Sequence, residues 1–159
     1  MRVISVVLAL CSLSVPMVAV DNPFLGTWKL NTAKSKYKPG PALQEETVKM
    51  EADGNNVRRI AQGTDGNGKP IDEGGPEGSS FPWDGEFHTV TKPSERPEIQ
   101  IAVKVNDPYH LLVRIKADGK IVETDHASVS KDGKTITGID DGVNMKGEKV
   151  HNIEVFDKQ

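Results

Sequence analysis

Period-two alternation of apolar and polar residues dominates the second half of the chain. Ile99, Ile101, Val103 and Val105 alternate with Gln100, Ala102 and Lys104, the signature of a strand with one buried face. Tyr109, Leu111, Val113 and Ile115 repeat the pattern after an Asn106-Asp107-Pro108 connection. Asp118-Gly119 separates that strand from one running through Ile121 and Val122 to about Ser130, and Asp132-Gly133 introduces another over Thr135 to Ile139. Aspartate before glycine is a strong hairpin signal, because glycine takes the positive φ such turns require. A last strand is expected from Lys149 to Phe156.

The first half is less regular. Phe24 to Asn31 reads as a strand, followed by a Lys/Pro-rich connection through Pro41. Glu46 to Ala52 and Val57 to Gln62 form a hairpin pattern across Asp53-Gly54-Asn55-Asn56. The glycine-rich stretch from Gly63 to Ser80 predicts a long loop with at most a short strand near Ile71. Phe81 to Trp83 and Phe87 to Thr91 suggest a further hairpin over Asp84-Gly85. Serial hairpins without an amphipathic helix predict an all-β fold, an up-and-down antiparallel barrel of eight to ten strands, since closure removes exposed edges.

A two-residue turn at Asp118-Gly119 would pair Arg114 with Glu123 and Leu111 with His126. One face then collects Tyr109, Leu111, Val113, Ile115, Val122, Thr124, His126 and Ser128, and is assigned to the interior. The assignment is conditional, because a slip of one residue reverses every side chain.

Composition changes this picture in one respect. The apolar share is 36%, but residues 1–19 hold 14 of the 57 apolar residues, leaving 43 over the other 140 positions, or about 31%. Those first residues have the form of an export signal. Met1-Arg2 gives a basic start, Val3 to Leu13 an apolar run, and Ser14, Pro16 and Ala19 a relaxing cleavage region. The run is too short for a stable spanning helix. The expected organisation is a signal over 1–19 and one barrel domain over 20–159. Lipid modification of Cys11 is a second possibility, although Leu10 is bulky for the position before it. Cleavage near Ala19 would leave no cysteine, so the exported chain would hold together without disulfides. That suits a bacterial periplasm or exterior. Removing Arg2 from the 20 basic residues leaves 19 against 23 acidic ones, a net charge of −4. The bases are scattered, which argues against a nucleic-acid partner.

The segment Asn22-Pro23-Phe24-Leu25-Gly26-Thr27-Trp28-Lys29-Leu30 resembles the opening of the calycin barrels, the lipocalins and fatty-acid-binding proteins. In that pattern, carried here by Gly26-Thr27-Trp28, glycine permits close backbone approach and the indole plugs one end of the barrel. The chain looks most like small exported bacterial proteins with a lipocalin-like fold. Ser130-Lys131-Asp132-Gly133-Lys134-Thr135 and the ending Val155-Phe156-Asp157-Lys158-Gln159 also carry this resemblance. It covers nearly all of the chain after residue 20 and implies a fold rather than an activity. Two features depart from the families. Fatty-acid-binding proteins hold a carboxylate with an arginine and a tyrosine two apart on the last strand, and those places look like Glu154 and Phe156 here. A glutamate repels a carboxylate. The arginine that lipocalins set against the tryptophan is also missing or replaced by lysine, since no arginine follows Arg114.

Little in the sequence specifies chemistry. His126, placed inside by the register above, has two readings: it orients a polar ligand group, or it is a hydrogen-bonded core histidine. His88, His110 and His151 lie on other strands without metal-motif spacing, so no metal or cofactor is implied. Asp65-Gly66-Asn67-Gly68 starts like a calcium loop but has Lys69 at a ligand position. Gly78-Ser79-Ser80-Phe81-Pro82 ends in proline where a nucleophile elbow needs glycine. Asp84, Glu86, Asp140 and Asp141 read as turn and surface acids. Trp83, Phe81 and Phe87 flank a turn near an expected barrel mouth.

The leading expectation is an exported, non-catalytic barrel that holds a small, partly apolar molecule. Its ligand-binding candidates are Tyr109, Leu111, Val113, Thr124 and His126, with Trp83 at the mouth. A side-chain-filled envelope module is the alternative, and an enzyme using His126 with Glu154 a third. No feature fixes an oligomeric state.

Overall fold

A computed structural model describes residues 22–73, 77–90, 97–143 and 147–159. The expected signal over 1–19 and Cys11 lie outside these residues. Eleven antiparallel strands follow one another: β1 (Gly26–Leu30), β2 (Glu45–Asp53), β3 (Asn56–Thr64), β4 (Pro70–Glu73), β5 (Ser79–Pro82), β6 (His88–Thr89), β7 (Ile99–Asp107), β8 (His110–Ala117), β9 (Lys120–Val129), β10 (Thr135–Val143) and β11 (Lys149–Lys158). They form one sheet in the order β4-β3-β2-β1-β11-β10-β9-β8-β7-β6, with β5 also on β3. Because β4 pairs Ala61–Thr64 and β5 pairs Asn56–Arg59, these two share one position beside β3. The sheet therefore has ten positions, the upper end of the expected range. The first strand pairs with the last, Trp28 opposite Lys158 and Leu30 opposite Phe156. Side chains from β2 and β3 line the same cavity as side chains from β7 and β8, so the sheet curves round on itself into a barrel. This is an all-β architecture, an antiparallel barrel.

The aspartate turns form as their sequences dictate. Asp53 pairs with Asn56 across Gly54-Asn55, and Ala117 pairs with Lys120 across Asp118-Gly119. Asp118 and Gly119 have φ of 46° and 77°, the double positive φ of a type I′ turn. At the next aspartate turn, the Ser130 hydroxyl donates to Asp132 Oδ1 at 2.6 Å and accepts from Thr135 N at 3.0 Å.

Two expectations are corrected. Phe81–Trp83 and Phe87–Thr91 do not form a hairpin: β5 pairs with β3 and β6 with β7, at opposite ends of the sheet. Asp84-Gly85 turns the chain across that divide rather than within a ladder. The register of β8 and β9 also shifts. Lys116 pairs with Ile121 as the turn requires, but Ile115 pairs with Glu123, leaving Val122 as an extra residue. This β-bulge exchanges the two faces of β9 beyond it. Leu111 then lies opposite Ala127, and Leu112 opposite His126.

Trp28 anchors the closed end and is fully buried. Its Nε1 donates to the Phe24 carbonyl at 2.8 Å. The Phe24 ring meets Trp83 edge-on, with centroids 6.0 Å apart. Val48, Ala61, Phe81, Val103, Leu111, Val129, Ile136 and Phe156 continue this core along the strands.

Candidate functional site

The barrel encloses a cavity of about 420 Å³, within the size range of small-molecule sites. Its apolar wall is built from alternate residues on facing strands: Val48 and Met50 of β2, Ile101 and Val103 of β7, Leu111, Val113 and Ile115 of β8. Phe24, Trp28, Phe81 and Trp83 close it toward the plugged end. One part of the wall is polar. Glu46 of β2, Glu123 and Asp125 of β9, Asp140 of β10 and Asn152 and Glu154 of β11 all line the cavity, together with Arg59 of β3.

The polar wall follows from register. Gly138 lies opposite Glu154 and Asp140 opposite Asn152, so these residues share the inward face with Ile136 and Phe156. Beyond the Val122 bulge, Glu123 and Asp125 join that face beside Ala127 and Val129. Glu46 is buried, and Arg59 Nη2 stands 3.4 Å from its Oε1. Asp125 Oδ1 accepts from Ile139 N at 3.1 Å.

Burial raises the pKa of Asp125, Asp140 and Glu154. Asp140 is pushed from an ordinary 3.8 to about 9, by desolvation first and then by the charges of Glu154, Asp125 and Glu123. Glu154 rises to about 7, again mainly through desolvation, with Glu46 repelling its charge. Asp125 is also raised by desolvation, opposed by its bonds to Asp140 and to Ile139 N. Tyr37 belongs to this group through the segment between β1 and β2. Lys36 N donates to the Ile153 carbonyl at 2.7 Å and His151 N to the Lys38 carbonyl at 2.8 Å, so this connection runs along β11. It buries the Tyr37 hydroxyl near Glu154 without a well-aligned partner, and desolvation and the neighbouring carboxylates strongly raise its pKa.

The sequence-derived candidates divide by face. Leu111, Val113 and Trp83 line the cavity, but Trp83 packs on Phe24 beside Trp28 and not at a mouth as expected. Thr124 and His126 do not: the bulge turns them to the outer face, where His126 is exposed. Tyr109 lies in the tight connection between β7 and β8 and is 41% exposed. His126 and the half-buried, inward-facing Glu154 therefore stand on opposite faces and cannot act as one catalytic pair. Phe81 reaches the cavity, whereas Phe87 stacks beneath Arg114 and Lys116, whose charges lie 5.0 and 3.6 Å from its centroid. Asp140, expected at the surface, is instead 9% exposed inside the barrel.

The other histidines pair with surface aspartates: His88 with Asp84, His110 with Asp107 and His151 with Asp141. Asp65 Oδ1 accepts from the backbone N–H groups of Asn67 and Lys69, each at 2.8 Å, which uses this carboxylate to shape its own turn. Among the described residues no three His, Cys, Asp or Glu side chains converge on a position that would hold one metal ion.

No protein-family model matches the chain, and a search of curated proteins finds no match. Its fold is similar to that of a Schistosoma mansoni fatty acid binding protein in complex with arachidonic acid. That likeness has a TM-score of 0.57 and 16% identity, covering 86% of this chain and 96% of that one. A zebrafish ileal bile acid-binding protein complexed with cholic acid gives a TM-score of 0.55 and 10% identity, covering 86% and 99%. At such identities the likeness defines the fold, a calycin-like barrel.

Proposed function

We propose that this chain is an exported, non-catalytic barrel that holds a small, partly apolar molecule in its interior. The observation that carries the reading is the cavity of about 420 Å³ bounded by apolar side chains from facing strands. A barrel whose only task is structural has no need of such a void, since empty apolar space forfeits packing energy. The two structural neighbours, each named with a lipid-like molecule bound, support an interior ligand. Leu111, Val113 and Trp83 are its contacts in this reading. Export rests on the basic start and apolar run of residues 1–19.

Native mass spectrometry of protein purified from its own host tests the reading. A small molecule that stays bound in the folded state and is released on unfolding is expected. A consistently empty protein that no lipid or metabolite panel stabilises would favour the structural alternative. Export is tested separately by fractionating the host and sequencing the mature N-terminus.

A further inference from the structure

The cavity's charge is lopsided. Among the described residues five carboxyl groups, those of Glu46, Glu123, Asp125, Asp140 and Glu154, face it against one guanidinium, Arg59. That guanidinium already lies in an ion pair with Glu46. An apolar molecule ending in a carboxylate would set its negative charge beside those of these groups that ionise, and in this desolvated space like charges repel more strongly than in water. An ammonium group supplies what the wall lacks, a positive charge with several N–H donors for acceptor oxygens. The carboxyl groups do not converge as ligands of one metal ion. Together with Asn152 and Arg59 they form the polar part of a space whose remaining wall is apolar.

We propose that the molecule held in the barrel is an amphiphilic amine, its ammonium head among Asp125, Asp140 and Glu154 and its apolar body against Ile101, Leu111 and Val113. This rests on the interior-ligand reading and specifies the ligand class. Within this wall Asp140 and Glu154 keep protons that water would remove. The charged groups facing them are Glu46 from β2, Glu123 and Asp125 from β9, and Arg59 from β3, with the Tyr37 hydroxyl from the segment beside β11. A cation entering this space displaces a proton, so its affinity grows as protons become easier to remove. The limit for release of one proton is about tenfold per pH unit.

Calorimetric titration of the protein with decylamine, decanol and decanoate tests this with one chain length and three heads. Decylamine is expected to bind about tenfold or more tightly than decanol at about pH 8, as charge-assisted hydrogen bonds require, and decanoate most weakly. Its affinity should rise from about pH 6 to about pH 8 with proton release, while that of decanol stays level. The double variant D140N/E154Q should shrink the amine-over-alcohol difference. Equal or tighter binding of decanol or decanoate, with a level amine affinity, overturns the amine proposal and leaves the interior-ligand reading standing. Failure of all three to bind counts against both.

Discussion

Lys158 holds its ammonium 4.9 Å from the centre of the Trp28 ring, where the first and last strands pair. The two residues stand opposite each other, so the same registration that closes the barrel brings cation to indole. No arginine follows Arg114, and it is this lysine that meets the tryptophan. Lys158→Ala is expected to lower stability by about 0.5–1 kcal/mol, as for an exposed cation–π contact. Lys158→Arg should restore it. Trp28→Ala removes a fully buried indole and should cost about 3–5 kcal/mol. Urea unfolding of the three variants measures both. A Lys158→Ala variant as stable as the parent would show that strand pairing alone secures this end.

Stability should fall on the alkaline side. Asp140 and Glu154 have folded pKa values of about 9 and about 7, raised from 3.8 and 4.5. The folded state therefore keeps protons that the unfolded state has released, and the stability this gives is fully present below about pH 4. It is lost progressively as pH climbs toward about 9. The exposed aspartates act oppositely. Asp157, held low by its bond from Asn31, and Asp65, held low by its backbone bond from Lys69, contribute stability above about pH 4 that disappears as pH falls. Denaturant unfolding across pH should show a maximum near about pH 5. Asp140→Asn with Glu154→Gln should flatten the alkaline limb. Stability that rises steadily from pH 5 to pH 9 would contradict the placement of these carboxyl groups inside.

The bulge at Val122 depends on a glycine opposite it. Gly142 pairs with Glu123, and a Cβ on Gly142 would overlap the Val122 carbonyl oxygen. Gly142→Ala is expected to destabilise the protein by about 1–3 kcal/mol through this overlap. His126→Ala, on the exposed outer face, should stay within about 0.5 kcal/mol of the parent. A tolerated Gly142→Ala alongside a damaging His126→Ala would favour the unbulged register.

Much of the fold was legible because its instructions are local. Aspartate–glycine turns, period-two alternation and the Gly26-Thr27-Trp28 opening each act within a few residues and lead to the observed hairpins and plug. The bulge was not legible, since nothing at Val122 distinguishes an inserted residue from a regular one. A single extra residue sent Thr124 and His126 outside and brought Asp125 inside. The pairing of β5 with β3, and not with β6, is set by distant chain and leaves the Phe81–Phe87 segment looking like a hairpin. The polar wall was missed for a related reason. Interior carboxyl groups interrupt the apolar face by which strands are recognised, so Asp140 read as a surface acid. A signal was present in Glu46-Val48-Met50 and in Asn152-Glu154-Phe156, where polar residues keep the two-residue step of apolar neighbours. Tyr37, between exposed Lys36 and Lys38, carried the same alternation inside an apparent loop.

The central claim is that ligand binds inside the barrel, and methyl NMR during titration with decylamine tests it most directly. Saturable shifts are expected for Ile101, Leu111, Val113, Ile115 and Ile136, which line the cavity. Ile121, Ile139 and Val143, all exposed on the outer surface, should stay still. Shifts confined to those outer methyls, or no saturable shift in the interior set, would contradict the account.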